Sequence, residues 1–210
     1  MDYGTLKTTL ESYLHRDDLT DLIPTFIQLA QSRMTRDLKT HLLQTTGTVS
    51  LTGGTATASL PSDYASLISI RVPWQGGVRT LQQHSLVQNA QVFEELQGSS
   101  GSPLYYAIYN NSTLEITPTP ESSVDLQIIY QQRLAAFTLD ADTDAILTQF
   151  PNIYIYASML EAAPFIQDDD QIAKWGKFYQ GEVDSLNKYS EDAQWSGAPM
   201  QIKSLGTSTP

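Results

Sequence analysis

The acidic residues in the last third of the chain are the side chains with the clearest potential for chemistry. Asp140, Asp142 and Asp144 alternate along the sequence, as the first three ligands of an EF-hand calcium loop do. Such a loop needs glycine at its sixth position and glutamate at its twelfth, where this sequence has Ala145 and Pro151. The pattern therefore favours a solvated loop that caps the next helix over a calcium site.

A second acidic cluster, Asp168 to Asp170, could hold a divalent ion, but it fits better as an N-cap with negative charge at the start of a helix. His15, His41 and His84 are far apart in sequence, and none has a partner at zinc-ligand spacing. A hydrolase with a carboxylate pair is one alternative, although the acidic residues fall in turns. We therefore expect no enzyme activity, no metal and no cofactor.

Composition limits the class of protein. The 210-residue chain has 12 Lys and Arg residues against 23 Asp and Glu residues, which gives a net charge of −11. Binding to DNA through phosphates requires clustered basic residues, so the charge argues against a DNA-binding surface but is compatible with the lining of a conduit. There is no cysteine, which excludes disulfides and thiolate metal sites. No apolar run is long enough to span a bilayer, and the first residues do not resemble a secretory signal.

Helical periodicity marks both ends of the chain. Apolar stripes predict helices over residues 3–15 and from Ile23 to Lys39. The stretch from Phe150 to Tyr189 carries two further stripes and predicts two helices folded back on each other. Pro151 suits the first turn of the first of these helices, which should end or kink just before Pro164.

Between the helices the hydrophobic pattern changes to short alternating strands. Gly53-Gly54 predicts a tight hairpin between two such strands, and Asn110-Asn111 predicts a second hairpin. Residues 67–72 and 124–131 predict further strands. Residues 85–96 predict a short helix with one apolar face, formed by Leu86, Ala90, Phe93 and Leu96.

The predicted fold class is α+β, mainly α. An antiparallel helical bundle formed by the N- and C-terminal helices carries an inserted small antiparallel β subdomain and an extended C-terminal tail. The predicted boundaries are 1–44 for the N-terminal helices, 45–134 for the β-rich insertion, 135–196 for the C-terminal helices and 197–210 for the tail. The tail is rich in Gly, Ser, Thr and Pro, which is typical of a flexible or extended segment.

A series of short motifs follows one another in a specific order along nearly the whole chain. They are Arg16 to Leu19, Ile23 to Ile27, Arg36 to Leu38, Leu60 to Tyr64, Ser102 to Tyr106, Ile116 to Pro120, Tyr130, Pro151 to Leu160, and Asp168 to Asp170 before a helix with Trp175 and Tyr179. In this order and spacing the chain resembles the head-to-tail adaptor (connector) proteins of tailed bacteriophages. One departure is Gln31, where the family usually has an acidic residue.

The resemblance implies a structural virion protein without catalytic residues. Such adaptors form a ring, commonly dodecameric, under the portal protein in the neck of the virion, at one capsid vertex. The ring extends the DNA channel used in genome ejection and docks a downstream tail or nozzle protein, and DNA passes through it without specific binding. The resemblance also implies assembly in the host cytoplasm and no membrane partner. The alternatives are a phage tail-completion or stopper protein and a calcium-stabilised binding module unrelated to phages.

Two sets of residues are predicted to make contacts between proteins. In adaptors of this kind the C-terminal tail inserts into or along the portal, so isolated apolar residues in the tail are predicted to bind it. These portal-binding residues are Met200, Ile202 and Leu205. Tyrosine and tryptophan are enriched at interfaces, although burial in the core explains them equally well. The predicted subunit-interface residues are Trp175, Tyr179 and Trp195.

Overall fold

A computed structural model describes residues 1–74, 76–95, 100–166 and 169–195. The helices are α1 (Tyr3–Leu14), α2 (Ile23–Asp37), α3 (Leu86–Glu95), α4 (Ala145–Gln149), α5 (Pro151–Ile166) and α6 (Asp169–Trp195). The strands are β1 (Gln44–Leu51), β2 (Thr57–Ser59), β3 (Tyr64–Trp74), β4 (Gly77–Thr80), β5 (Gln82–Gln83), β6 (Tyr105–Tyr109), β7 (Thr113–Thr117) and β8 (Val124–Gln132). Two short 3₁₀-helices cover Asp17–Leu22 and His41–Leu43.

The strands form two four-stranded sheets in the order β1-β8-β3-β4 and β2-β7-β6-β5. The strand pairs are antiparallel except for β5 with β6, which is parallel. Buried residues from both sheets belong to one hydrophobic cluster, so the sheets pack face to face as a sandwich. The centre of this cluster consists of Ile70, Leu114, Ile116, Leu126 and Ile128.

The predicted fold class, a mainly α bundle with a small inserted antiparallel β subdomain, is wrong. The described residues contain six helices and eight strands in two sheets, and the sheets enclose a hydrophobic core of their own. The physical reason lies in strand pairing. Period-two alternation shows where a strand lies but not which partner it takes, and β1 pairs with β8 across most of the middle of the chain.

The Gly53-Gly54 turn joins the two sheets and does not close the predicted hairpin, because β1 pairs with β8 and β2 pairs with β7. The turn still requires glycine. Gly54 has a φ of 80°, and a Cβ added to Gly53 would lie 2.7 Å from the carbonyl oxygen of Glu121. The Gly54 N–H donates to the carbonyl of Pro120 at 2.8 Å, which fixes the turn against the chain segment before β8.

The second predicted hairpin is confirmed. β6 and β7 pair antiparallel around Asn110-Asn111, and both asparagines have positive φ, 56° and 49°. Asparagine tolerates this left-handed conformation better than most residues, which suits both positions of the turn.

Helices from both ends of the chain share a second hydrophobic core. α5 lies at its centre and contacts α1, α2, α4 and α6. α1 contributes an apolar stripe at helical spacing, formed by Tyr3, Leu6, Leu10 and Leu14. Each fully buried leucine or phenylalanine stabilises this packing by about 1.5–3 kcal/mol.

α5 continues to Ile166, with Pro164 inside its last turn, so the helix does not end before the proline. A proline this close to the end of a helix removes one backbone hydrogen bond and leaves the earlier turns intact. In the described part of the chain, no helix combines the length and hydropathy needed to cross a membrane.

Candidate assembly surfaces

Asp140 and Asp142, from the segment that resembles a calcium loop, bind partners within the chain. Asp142 Oδ2 accepts hydrogen bonds from the backbone N–H groups of Leu139 at 2.8 Å and Thr138 at 2.6 Å. These two bonds hold the pKa of the Asp142 carboxyl below its ordinary value. Asp140 pairs with Lys7 of α1 at 2.6 Å. Both carboxylates therefore fasten the loop, either to itself or to α1.

Asp144 caps α4 and joins a buried hydrogen-bond network. Its Oδ1 accepts from the Leu147 N–H at 2.7 Å, and its Oδ2 accepts from the hydroxyl of Tyr154. Burial, and then the nearby Asp144 charge, raise the pKa of Tyr154 far above its ordinary value. Gln31 Nε2 donates to the Ala135 carbonyl at 2.8 Å and to the Tyr154 hydroxyl at 3.4 Å. An ionised acid in place of Gln31 could not donate to that carbonyl. This gives a structural reason for glutamine at a position where the adaptor family usually has an acidic residue.

The described residues contain no group of three or more His, Asp and Glu side chains that could hold a metal ion. Asp170 is exposed in the first turn of α6, whereas Asp168 lies outside the described residues. Of the three histidines, His84 stacks on the Tyr105 ring at 4.1 Å between centroids.

Four grooves lined by described residues do not bring catalytic groups together. Four grooves, the largest about 440 Å³, are each lined by at most one ionisable side chain. The ionisable residue of the largest groove is Glu121. General acid–base catalysis needs converging titratable groups, and these four grooves lack that arrangement.

The structure places Trp175 and Tyr179 in the helical core of a single chain. The Trp175 ring stacks on Tyr156 at 5.9 Å, and the Tyr179 hydroxyl donates to Asp37 at 2.9 Å. Burial, followed by this bond, raises the pKa of Tyr179. Trp195 is the last residue of α6. The predicted portal-binding residues Met200, Ile202 and Leu205 lie outside the described residues, so both sets of contacts stay predictions.

A partly exposed aromatic cluster, here called the aromatic patch, comprises Tyr13, Tyr156, Trp175 and Phe178, of which Trp175 is buried. The Trp175 ring contacts Tyr13 at 6.2 Å and Phe178 at 6.0 Å between centroids. Tyr13 is 50% exposed and Phe178 is 44% exposed, although both rings are large and apolar. Exposed apolar clusters of this kind mark interaction sites in many proteins.

A second apolar surface, here called the leucine patch, comprises Leu22, Leu29 and Phe165. Leu22 immediately precedes α2, and Leu29 lies on α2 seven residues later, about two helical turns, which places the two side chains on one face. The ring of Phe165 on α5 packs against the ring of Phe26 on α2, at 4.9 Å between centroids. Their side chains are 36%, 43% and 52% exposed, in chain order. The sequence signal for this patch is a pair of leucines outside the buried stripe of α2. The sequence pattern does not predict an interaction surface there.

α3 carries a third exposed apolar surface, on the β-sandwich. Leu86, Val87 and Phe93 are exposed, whereas the buried residue of α3 is Asn89. The side-chain amide of Asn89 has no hydrogen-bond partner among the described residues. Leu86, Ala90 and Phe93 of the apolar stripe that predicted this helix therefore face away from the core, and Leu96 lies outside the described residues.

Comparison with known protein families gives a match over nearly the whole chain. The family model of the SU10 adaptor protein matches residues 1–203, so the match includes both the helices and the sandwich. No curated protein matches the chain. The family consists of structural phage adaptors that interact with other phage head and tail proteins as parts of the virion. The resemblance to phage adaptors is thus confirmed. The chain belongs to the SU10 adaptor protein family and is a structural component of a bacteriophage virion.

Proposed function

We propose that copies of this chain form a ring under the portal protein, extend the DNA channel and dock the next tail component. The match of the adaptor family over residues 1–203 is the observation that carries this proposal. The three exposed apolar surfaces support it, because a protein that works by assembly needs surfaces for its neighbours.

The parts of the chain take different roles in this proposal. Residues 1–44 and 135–196 supply the wall of the ring, and residues 45–134 face the tail. Residues 197–210 bind the portal. Ordering this polar segment costs conformational entropy, so the contact needs apolar anchors. Those anchors are Met200, Ile202 and Leu205.

The negative charge of the chain suits a channel through which DNA slides. With a net charge of −11, the assembled ring repels DNA phosphates and binds duplex DNA weakly even at low salt. Fluorescence anisotropy with a labelled duplex over a salt series measures this property. Tight binding that weakens steeply with salt would contradict a passive channel.

Co-sedimentation with isolated portal protein tests the portal contact. A variant with Met200→Ser, Ile202→Ser and Leu205→Ser should bind at least about a hundredfold more weakly, since each buried apolar side chain contributes about 1.5–3 kcal/mol. Deletion of residues 198–210 should abolish binding without a change in the melting temperature. A Gln201→Ser, Thr207→Ser variant is the matched control and should bind like the wild type. Undiminished binding of the triple variant rejects the anchor role.

A further inference from the structure

We infer that the aromatic patch of one copy docks on the leucine patch of the next copy. The contact is heterologous, which means that each copy uses two different surfaces. This inference rests on the proposed assembly of identical subunits and assigns the surfaces that perform it. It also places the exposed Tyr13 and Phe178 at the contact, with Trp175 behind them in the core.

The two patches lie on opposite sides of α5. Tyr156 contacts Trp175 and Phe178 of the aromatic patch, at 5.9 Å and 5.6 Å between ring centroids. Phe165 belongs to the leucine patch and follows Tyr156 by nine residues. At about 100° per residue, nine residues turn a helix by about 180° beyond full turns. A subunit with complementary surfaces on opposite flanks can have a neighbour on each side.

The charges beside the patches decide which surfaces pair. Lys174 and Lys177 are exposed next to Trp175 and Phe178, and the Lys174 Nζ lies 4.9 Å from the centroid of the Trp175 ring. Asp21 is exposed next to Leu22. The three ion pairs between described residues involve none of these charges.

The lysines beside the aromatic patch attract Asp21 beside the leucine patch, which favours pairing of the two different patches. The same lysines repel each other when two aromatic patches meet, which disfavours that pairing. A pairing of like patches would bring lysines from both copies together and would stop at a dimer. A heterologous contact repeats from copy to copy and closes into a ring when the rotation between copies allows it.

Disulfide trapping tests this pairing directly because the natural chain has no cysteine. One cysteine replaces Gly181, which lies one helical turn after Lys177 and Phe178. A Cβ added at this position meets no atom within 4 Å, so the Gly181→Cys side chain has room. Thr25→Cys is exposed on α2 between Leu22 and Leu29. The variant with both cysteines, oxidised at high protein concentration, should give a ladder of dimers, trimers and higher species on a non-reducing gel. Each single-cysteine variant should stop at a dimer.

A two-cysteine control with Thr48→Cys and Val78→Cys, both exposed on the sandwich, measures random collisions. A ladder no stronger than that of the control overturns the inference. In the trapping variant, Lys174→Glu with Lys177→Glu should reduce the yield of trimers at least about tenfold, and added Asp21→Lys should restore it. If portal binding persists while the ladder fails, the interface is wrong and the adaptor role stands. A ladder without portal binding would instead contradict the adaptor role.

Discussion

Replacing Tyr154 with phenylalanine removes one hydroxyl from the core that the terminal helices share. Tyr154 is fully buried, and its hydroxyl donates to the Asp144 carboxylate and accepts from Gln31. The variant keeps the aromatic ring, so no large cavity forms. It leaves one carboxylate oxygen of Asp144 without its donor, while the cap on Leu147 remains. The change therefore isolates the hydrogen-bond network that joins α2, α4 and α5.

The expected cost follows from the charge of the acceptor. A hydrogen bond to a charged group contributes about 1.5–3 kcal/mol, and the weaker bond from Gln31 at 3.4 Å adds little. Tyr154→Phe should therefore lower the free energy of unfolding by about 2–3 kcal/mol at neutral pH. Urea denaturation followed by circular dichroism measures this difference.

The same tyrosine predicts a loss of stability in alkali. Its pKa is raised in the folded protein from an ordinary value of 10.0, so above that pH the unfolded chain loses a proton that the folded chain keeps. The stabilisation is complete below the unfolded pKa and falls by about 1.4 kcal/mol per pH unit above it. Tyr154→Phe removes this contribution. The difference in the free energy of unfolding between wild type and variant should therefore become smaller as the pH rises above 10.0.

Tyr156→Phe is the matched control. The ring of Tyr156 packs on Trp175, but the residue is only partly buried and lies outside the network of Gln31, Tyr154 and Asp144. This variant should cost less than about 0.5 kcal/mol. Two results would refute the proposed role of the buried network. One is an equal loss of unfolding free energy in the two tyrosine variants, and the other is a difference between wild type and Tyr154→Phe that stays constant at alkaline pH.

Further predictions concern the turn between the sheets, the sandwich core and the acidic loop. Gly53→Ala should destabilise by about 2 kcal/mol or more because the new methyl clashes with backbone, whereas Gly181→Ala in the open surface of α6 should stabilise by about 0.5–1 kcal/mol. Leu114→Ala in the sandwich core should cost about 2–5 kcal/mol, against less than about 0.5 kcal/mol for the exposed Val78→Ala. Urea denaturation checks all four, and comparable losses within either pair would contradict the packing described here. Asp142→Asn should lower the melting temperature at pH 7, and the difference should vanish in acid, because a lowered carboxyl pKa stabilises the fold only above the unfolded pKa. A difference in melting temperature that persists in strong acid would contradict this role.

Local signals were sufficient to place the first two helices. α1 ends within one residue of its predicted end, and α2 begins at Ile23 as predicted and ends two residues early, at Asp37. The apolar stripes set both helices, and Pro24 suits the first turn of α2, where its missing N–H is not needed.

Pairing across the sheets depends on distant parts of the chain and could not be predicted in the same way. The Asn110-Asn111 turn led to a correct hairpin, whereas Gly53-Gly54 has equally good turn chemistry and joins different sheets. In β3 a register shift between Leu67 and Ser69 turns Ile68 outward, although Ile70 and Val72 further along are buried. A bulge of this kind leaves no distinctive pattern in the sequence.

Hydrophobicity alone also cannot separate a core from an assembly surface. Trp175 was predicted for an interface and is buried in the chain, whereas Tyr13 and Phe178 beside it are half exposed. In α3 the apolar Leu86 and Phe93 face solvent, whereas Asn89 is buried against the sandwich. The family, in contrast, was predicted from the order of motifs along the chain, which is a property of the whole sequence.

Electron cryo-microscopy of this protein mixed with isolated portal tests the adaptor role most directly. We predict a ring of identical copies stacked coaxially on the portal, with α2 of each copy facing α6 of its neighbour. A portal without added density, or single copies bound at scattered positions, would contradict that role.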